Sequence, residues 1–358
     1  MKIFFMKIIS ILCCVLFAFL PLSIPAFALE LYDDVDDFAK IINIDNVEKI
    51  VLDSESLDNM SRKMKRLSDR EKVDMLLERF DMELFQSTKQ YNEMIDNFDD
   101  IESISASMAY IKVDEYGNQT VISKEECLKA LKSESVLQRA GSISDIFETV
   151  ERESSNGYML QTIMAIYDRK EPKGTYGITC SSKWLKTPMV RTVDAMSISS
   201  RELKWSKNIE DYAGLAGYDR TTRTHNGNSI TEKTEQVLVE LKEPLYYDEE
   251  KGVAYKWYLP VNTSYVSGGY GVSNSYSEFG TIITGKARVK DYNKNNQMIS
   301  VDYRYLHVQM KIDIDKIVYE WMKNQFNKWY ITLVKNISFV QKNYDYSHTW
   351  NYSKHANL

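Results

Sequence analysis

The sequence predicts an α+β protein, in which an N-terminal, mostly helical domain with one small β-hairpin precedes an antiparallel β-sandwich of jelly-roll or similar order. Three observations lead there. Between Leu29 and Lys170 there is no proline, and glycine occurs only at Gly117, Gly141 and Gly157, a composition that permits long helices. From Tyr158 onward lie all six tryptophans, all four histidines and 20 of the 24 tyrosines, the residue types that favour a pleated, half-buried surface. Turn signals then recur between short alternating runs, at His225-Asn226-Gly227-Asn228, Asp248 to Gly252 and Asn293 to Asn296.

Ahead of these two parts stands an export signal. Lys2 and Lys7 supply a basic start, Ile8 to Ile24 an apolar stretch broken by Pro21, and Ala26-Phe27-Ala28 the small residues that a signal peptidase requires. Residues 1–28 are therefore expected to be removed after Ala28, and the remainder to be secreted outside the cell. The apolar run is short for a membrane span, and every later apolar run is interrupted by charge, so no transmembrane segment is expected in the mature chain. The expected domains are 29–170, acidic and helical, and 171–358, aromatic-rich and sandwich-like.

Within the first domain, Val35, Phe38, Ile41 and Ile42 fall at helical spacing, as do Leu57, Met60, Met64 and Leu67, and again Met75, Leu76, Phe80 and Leu84. Ser68 with Glu71 has the spacing of a capping box, and Ser123 with Glu126 repeats it. Tyr110 to Val113 and Thr120 to Ile122 flank Asp114 to Asn118 as the strands of a hairpin do. In the second domain, Glu235 to Leu241 sets Val237, Val239 and Leu241 on one face of a strand, and Tyr247 to Tyr255 reads as a hairpin. Val318, Met322, Phe326, Trp329 and Leu333 recur at helical spacing before a final strand.

The net charge of −6 is uneven. Leu29 to Val150 holds 28 acidic and 15 basic residues, a balance of −13; the first 28 residues carry +2, which leaves +5 for Glu151 to Leu358. No concentrated basic run accompanies this, so a nucleic-acid partner is not expected.

The sharpest pattern lies in the tail. Tyr344, Tyr346, His348, Trp350 and Tyr352 share one parity and polar residues the other, and Tyr303, Tyr305 and His307 repeat the Tyr-x-Tyr-x-His spacing. Aromatic faces of this kind stack on sugar rings while the Tyr and His tips hydrogen-bond, so these eight residues form a candidate platform for a cell-wall or surface glycan. The same alternation equally suits the core of a sandwich.

Catalytic signatures are sparse. Serine triads, HExxH helices and phosphate loops are absent, and no cofactor or metal is expected. Cys127 and Cys180 are the two cysteines beyond residue 28, and export makes a disulfide between them permissible. Cys180 followed by His225 has the order of a cysteine-dependent cell-wall peptidase. The Ser, Thr and Gly-rich stretch from Thr263 to Thr284, with the segment around Trp321 and Trp329, offers a membrane-active reading. The function that best fits the whole sequence is that of a secreted, bacterial-type, non-enzymatic protein that binds at a cell surface or wall.

Overall fold

A computed structural model describes residues 35–113, 119–140, 157–186, 193–226, 229–267, 270–290, 298–308 and 345–353, together with Asp315, Val318 and Tyr319. These residues form a mostly β protein built on one large antiparallel sheet. Its N-terminal strands are β1 (Lys40–Ile44), β2 (Val47–Leu52), β3 (Ile101–Val113), β4 (Gln119–Ile122) and β5 (Gly157–Asp168). It continues through β6 (Thr175–Lys186), β8 (Leu203–Trp205), β9 (Ala213–Asn226), β10 (Ser229–Glu240), β13 (Thr263–Ser267) and β14 (Tyr270–Val289). Their order is β1-β2-β3-β5-β6-β14-β9-β10, with β4 beside β3, and β8 and β13 beside β14. A second sheet of five strands runs β11 (Tyr246–Asp248), β12 (Gly252–Tyr258), β7 (Val193–Ser199), β15 (Met298–Val308), β16 (Asp345–Ser353).

This arrangement overturns the expected helical domain. The region before residue 170 supplies five strands of the large sheet, and its helices α1 (Ser54–Lys63), α2 (Asp69–Arg79) and α3 (Lys89–Asp96) lie on that sheet and share its core. A further helix, α4 (Lys124–Ala140), follows β4. The expected boundary near residue 170 falls between β5 and β6, which are paired neighbours. The expected helix from Val35 to Ile42 is likewise cut to a single turn at Val35, with strand from Lys40 onward. Asp45 and Asn46, with φ of 51° and 65°, make the two-residue turn between β1 and β2 that a right-twisted hairpin favours.

The reason is that the central strands are buried on both faces. Along β5, Met159, Ile163, Ala165 and Tyr167 enter one core, while Tyr158, Leu160 and Met164 enter the other. The first core fills the space between the two sheets. The second lies between the large sheet and the helices, where Leu76, Leu77, Phe80, Tyr91 and Met94 meet Ile104, Ala106, Met108 and Ile282. Two-sided burial removes the polar half of the strand alternation, so these strands carry almost unbroken apolar and small residues. The sandwich expected for the second half exists in part, but its larger sheet is shared with the first half.

Local signals fare better. Ser68 and Glu71 form the capping box at the start of α2, with the Ser68 N–H donating to Glu71 Oε2 at 2.7 Å and the Glu71 N–H to Ser68 Oγ at 3.3 Å. Ser123 Oγ accepts from the Glu126 N–H at the start of α4. The small hairpin is β3 with β4, in the register Tyr110 to Ile122 and Val113 to Gln119. The helical spacing from Val318 to Leu333 lies outside the described residues apart from Val318.

One glycine fixes how the second sheet begins. Gly252 has φ of +142°, and a Cβ there would sit 2.0 Å from the carbonyl oxygen of Ile198 on the adjacent strand. Gly252→Ala is expected to cost on the order of 2–4 kcal/mol through strain and this clash. Urea unfolding would show a lowered midpoint; an unchanged midpoint would mean that β12 does not start in this conformation.

Candidate surface-recognition ribbon

The expected aromatic platform is divided by the fold. Tyr303 and Tyr305 are 0% and 1% exposed, inside the core between the sheets. Tyr303 Oη shares a 2.7 Å hydrogen bond with Ser182 Oγ; Tyr305 Oη accepts from Trp184 Nε1 at 2.9 Å and donates to the buried Asp194 carboxylate. Burial raises both phenols above their ordinary range. A sugar ring has no access to either, so these two residues are corrected to core members. His307 stands opposite Asp194 in the ladder between β15 and β7. In β16, Tyr346, His348, Trp350 and Tyr352 pair with four buried residues of β15, Tyr305, Tyr303, Val301 and Ile299. Directly opposed residues share a sheet face, so these tail positions belong to the face of the buried tyrosines. Tyr344 lies outside the described residues.

The two cysteines are free thiols, which corrects the disulfide. Cys180 belongs to the core between the sheets and Cys127 to the core under the helices, so the sheet separates them. Burial pushes Cys180 well above the usual thiol range and Cys127 up to about 11. The peptidase pair fails on distance as well. Cys180 is level with Gly214 of β9, through Ile283, whereas His225 lies eleven residues further along β9, roughly 36 Å at about 3.3 Å per residue. Iodoacetamide should leave both thiols unmodified in the folded protein and label both after denaturation, as read by peptide mass spectrometry. Rapid labelling of native Cys180 would contradict the buried position.

What the fold does expose is a ribbon. Beyond the two cores, β9, β10 and β14 continue together, joined by β13 on the far side of β14, giving the order β13-β14-β9-β10. Burial falls from root to tip: β9 is buried at Gly214 to Gly217 and open by His225, and nearly all of β10 is exposed. At the root, Tyr218 packs edge-on against Tyr276 at 5.5 Å and beside Phe279 at 6.1 Å. On the other side, Leu84 fits against Gly217 and Gly280, where an added Cβ would approach it to 2.7 and 2.8 Å.

The ladder sorts the ribbon's side chains into two faces. Tyr265 opposes Val272, which opposes Thr224; Tyr270 sits two residues away on the same face, opposite Ser267 and Asn226. Tyr265 and Tyr270 are thus diagonal neighbours, and they are 64% and 44% exposed. Beside them, Asn274 donates to Thr263 Oγ1 at 3.2 Å and its Oδ1 accepts from Thr222 Oγ1 at 2.8 Å, a chain that fixes the amide in place. The β9–β10 half is charged: Arg220 pairs with Glu235 on the tyrosine face, and Arg223 with Glu232 at 2.6 Å on the other.

The sequence carries a plain signal for this site that the aromatic alternation of the tail overshadows. From Trp257 to Ser277, 21 consecutive residues contain no charge, between Lys256 and Glu278, in a chain that is 27% charged. Among the described residues, no group of three or more His, Cys, Asp or Glu side chains is placed to hold a metal ion.

No known protein family matches the chain, and no curated protein does. Among solved structures, the RrgA Jo.In complex overlaps 41% of this chain and 69% of its own, at 11% identity and a TM-score of 0.19. Clostridium perfringens delta-toxin overlaps 58% and 83%, at 7% identity and a TM-score of 0.18. Scores this low establish no common fold.

Proposed function

We propose that the protein is a non-enzymatic recognition protein that binds a cell-surface or cell-wall glycan through the tyrosine face of the ribbon. The observation that carries this reading is the exposed pair Tyr265 and Tyr270 on a charge-free hairpin, next to a fixed Asn and Thr row. Two rings about one cross-strand diagonal apart present flat apolar surface of the size of a sugar ring, and the neighbouring hydroxyls and amide supply directional hydrogen bonds. Tyr, Ser, Gly and Asn together are also the composition of adaptable binding surfaces, because tyrosine offers large contact area at little entropic cost. The glycan contact is assigned here and not to the tail aromatics, whose register follows a buried face.

The reading places the protein outside the cell, with residues 1–28 as a cleaved signal peptide. Among the described residues no helix is long and apolar enough to cross a membrane. A membrane-inserted ribbon fits less well. Arg220 and Glu235 lie on one face and Arg223 and Glu232 on the other, so either face would carry charge into lipid.

Sedimentation with purified cell walls at low salt tests the proposal. The wild-type chain is expected to co-sediment, and Tyr265→Ala with Tyr270→Ala to weaken binding about tenfold or more, equivalent to ~1.4 kcal/mol or more, with circular dichroism unchanged. Absence of wild-type binding, or a double variant that binds equally well, sinks the assignment.

A further inference from the structure

The large sheet ends in two open edges, β1 and β10, since no described strand pairs with the outer side of either. Such edges present rows of unpaired N–H and C=O groups, which proteins ordinarily shorten, cover or charge. None of these devices is complete here. β10 is 12 residues long, and its charges stop at Glu235, leaving Val237, Leu238 and Val239 before Glu240. Leu238 and Val239 are 44% and 36% exposed. β1 reads Lys-Ile-Ile-Asn-Ile, with Ile41, Ile42 and Ile44 all exposed and its lysine turned to Asp53 at 2.5 Å.

We infer that these edges join: β1 of one copy adds to β10 of a second copy, continuing the sheet from chain to chain. Three features of the topology select this partner. The path from β1 to β10 contains eight strands, all antiparallel, so β1 and β10 run in opposite directions. A second copy set alongside in the same orientation therefore offers β1 antiparallel to β10, with helices on the same side. The edges also stand at one level, because the register runs from Glu240 to Asn43 through one partner in each of the six intervening strands. Placed without a shift along the strands, Ile44 meets Val239 and Ile42 meets Leu241.

The faces agree as well. Ile42 and Ile44 lie on the side of the sheet that faces the five-stranded sheet, as does Val239, which opposes Ala216 of that core. The aliphatic pairs thus form on one face, and Asn43 meets Glu240 on the other. Joining one edge to the opposite edge is a head-to-tail contact, which closes into a ring or extends as a filament.

Sedimentation velocity of the intact chain over a concentration series tests this without any glycan, so its result is independent of the ribbon's ligand. Species larger than one chain are expected to grow with concentration, and Ile42→Lys with Ile44→Lys, or Val239→Lys alone, to return the mass to that of one chain. Ile44→Cys and Val239→Cys chains, mixed and oxidised, are expected to cross-link to each other and neither to itself. A single chain at every concentration, assemblies that survive both lysine variants, or an Ile44→Cys chain that cross-links alone would each overturn the inference.

Discussion

Everything in this fold depends on a sheet whose central strands are covered on both faces. Burying both faces of β3, β5, β6 and β14 lets residues from the two ends of the chain form one body, because each strand contributes alternate side chains to two cores at once. The cost is that polar groups on these strands have no solvent and must find partners within the protein. Many do but not all: Gln161 of β5 is buried with both amide atoms unpartnered, whereas Thr179 meets Thr284 within the sheet and, across layers, Thr162 Oγ1 donates to the Phe80 carbonyl at the end of α2 and Ser182 meets Tyr303 of the second sheet. The two bonds across layers fix the position of one layer against another, which apolar contact alone does loosely.

The same constraint explains what the sequence makes legible. The capping box of Ser68 and Glu71 is read correctly because a serine oxygen and a glutamate carboxylate act within one helical turn, independent of what surrounds them. The β3–β4 hairpin is legible for a similar reason, since its paired strands are close neighbours in sequence. The helical domain is misread because two-sided strands lack polar alternation. Ile101 to Val113 and Gly157 to Asp168 are rich in Ala, Ser, Met and Ile with no turn residue inside, and a strand of this kind is hard to distinguish from a buried helix by periodicity. Absence of proline and scarcity of glycine permit helices, but they equally permit long strands.

The candidate site shows a second limit. Aromatic alternation marks a strand with one consistent face, but parity does not say whether that face meets solvent or another sheet. Tyr303 and Tyr305 face the large sheet; Tyr265 and Tyr270, in a less regular run, are exposed. The discriminating feature is the charge around them. Lys, Arg, Asp and Glu normally keep a protruding strand soluble, so an exposed hairpin without any of them needs another reason to stay uncharged. Contact with a partner is such a reason, since charges at the centre of an interface must be desolvated.

β14 links the two roles of the sheet. Its C-terminal half is core, with Ile282 and Ile283 facing opposite layers, and its N-terminal half is the spine of the ribbon between β13 and β9. The change occurs at a break in register between Ser277 and Gly280, where Glu278 takes φ of 52°, a conformation few side chains adopt. An irregular residue at that point lets one strand obey two environments, and the packing of Phe279 in one core and of Leu84 against Gly280 on the other side holds it there. The ribbon is therefore not a loose appendage. Its orientation is set by a strand whose other half is held in both cores, which is what a recognition surface needs if its rings are to be in place before the ligand arrives.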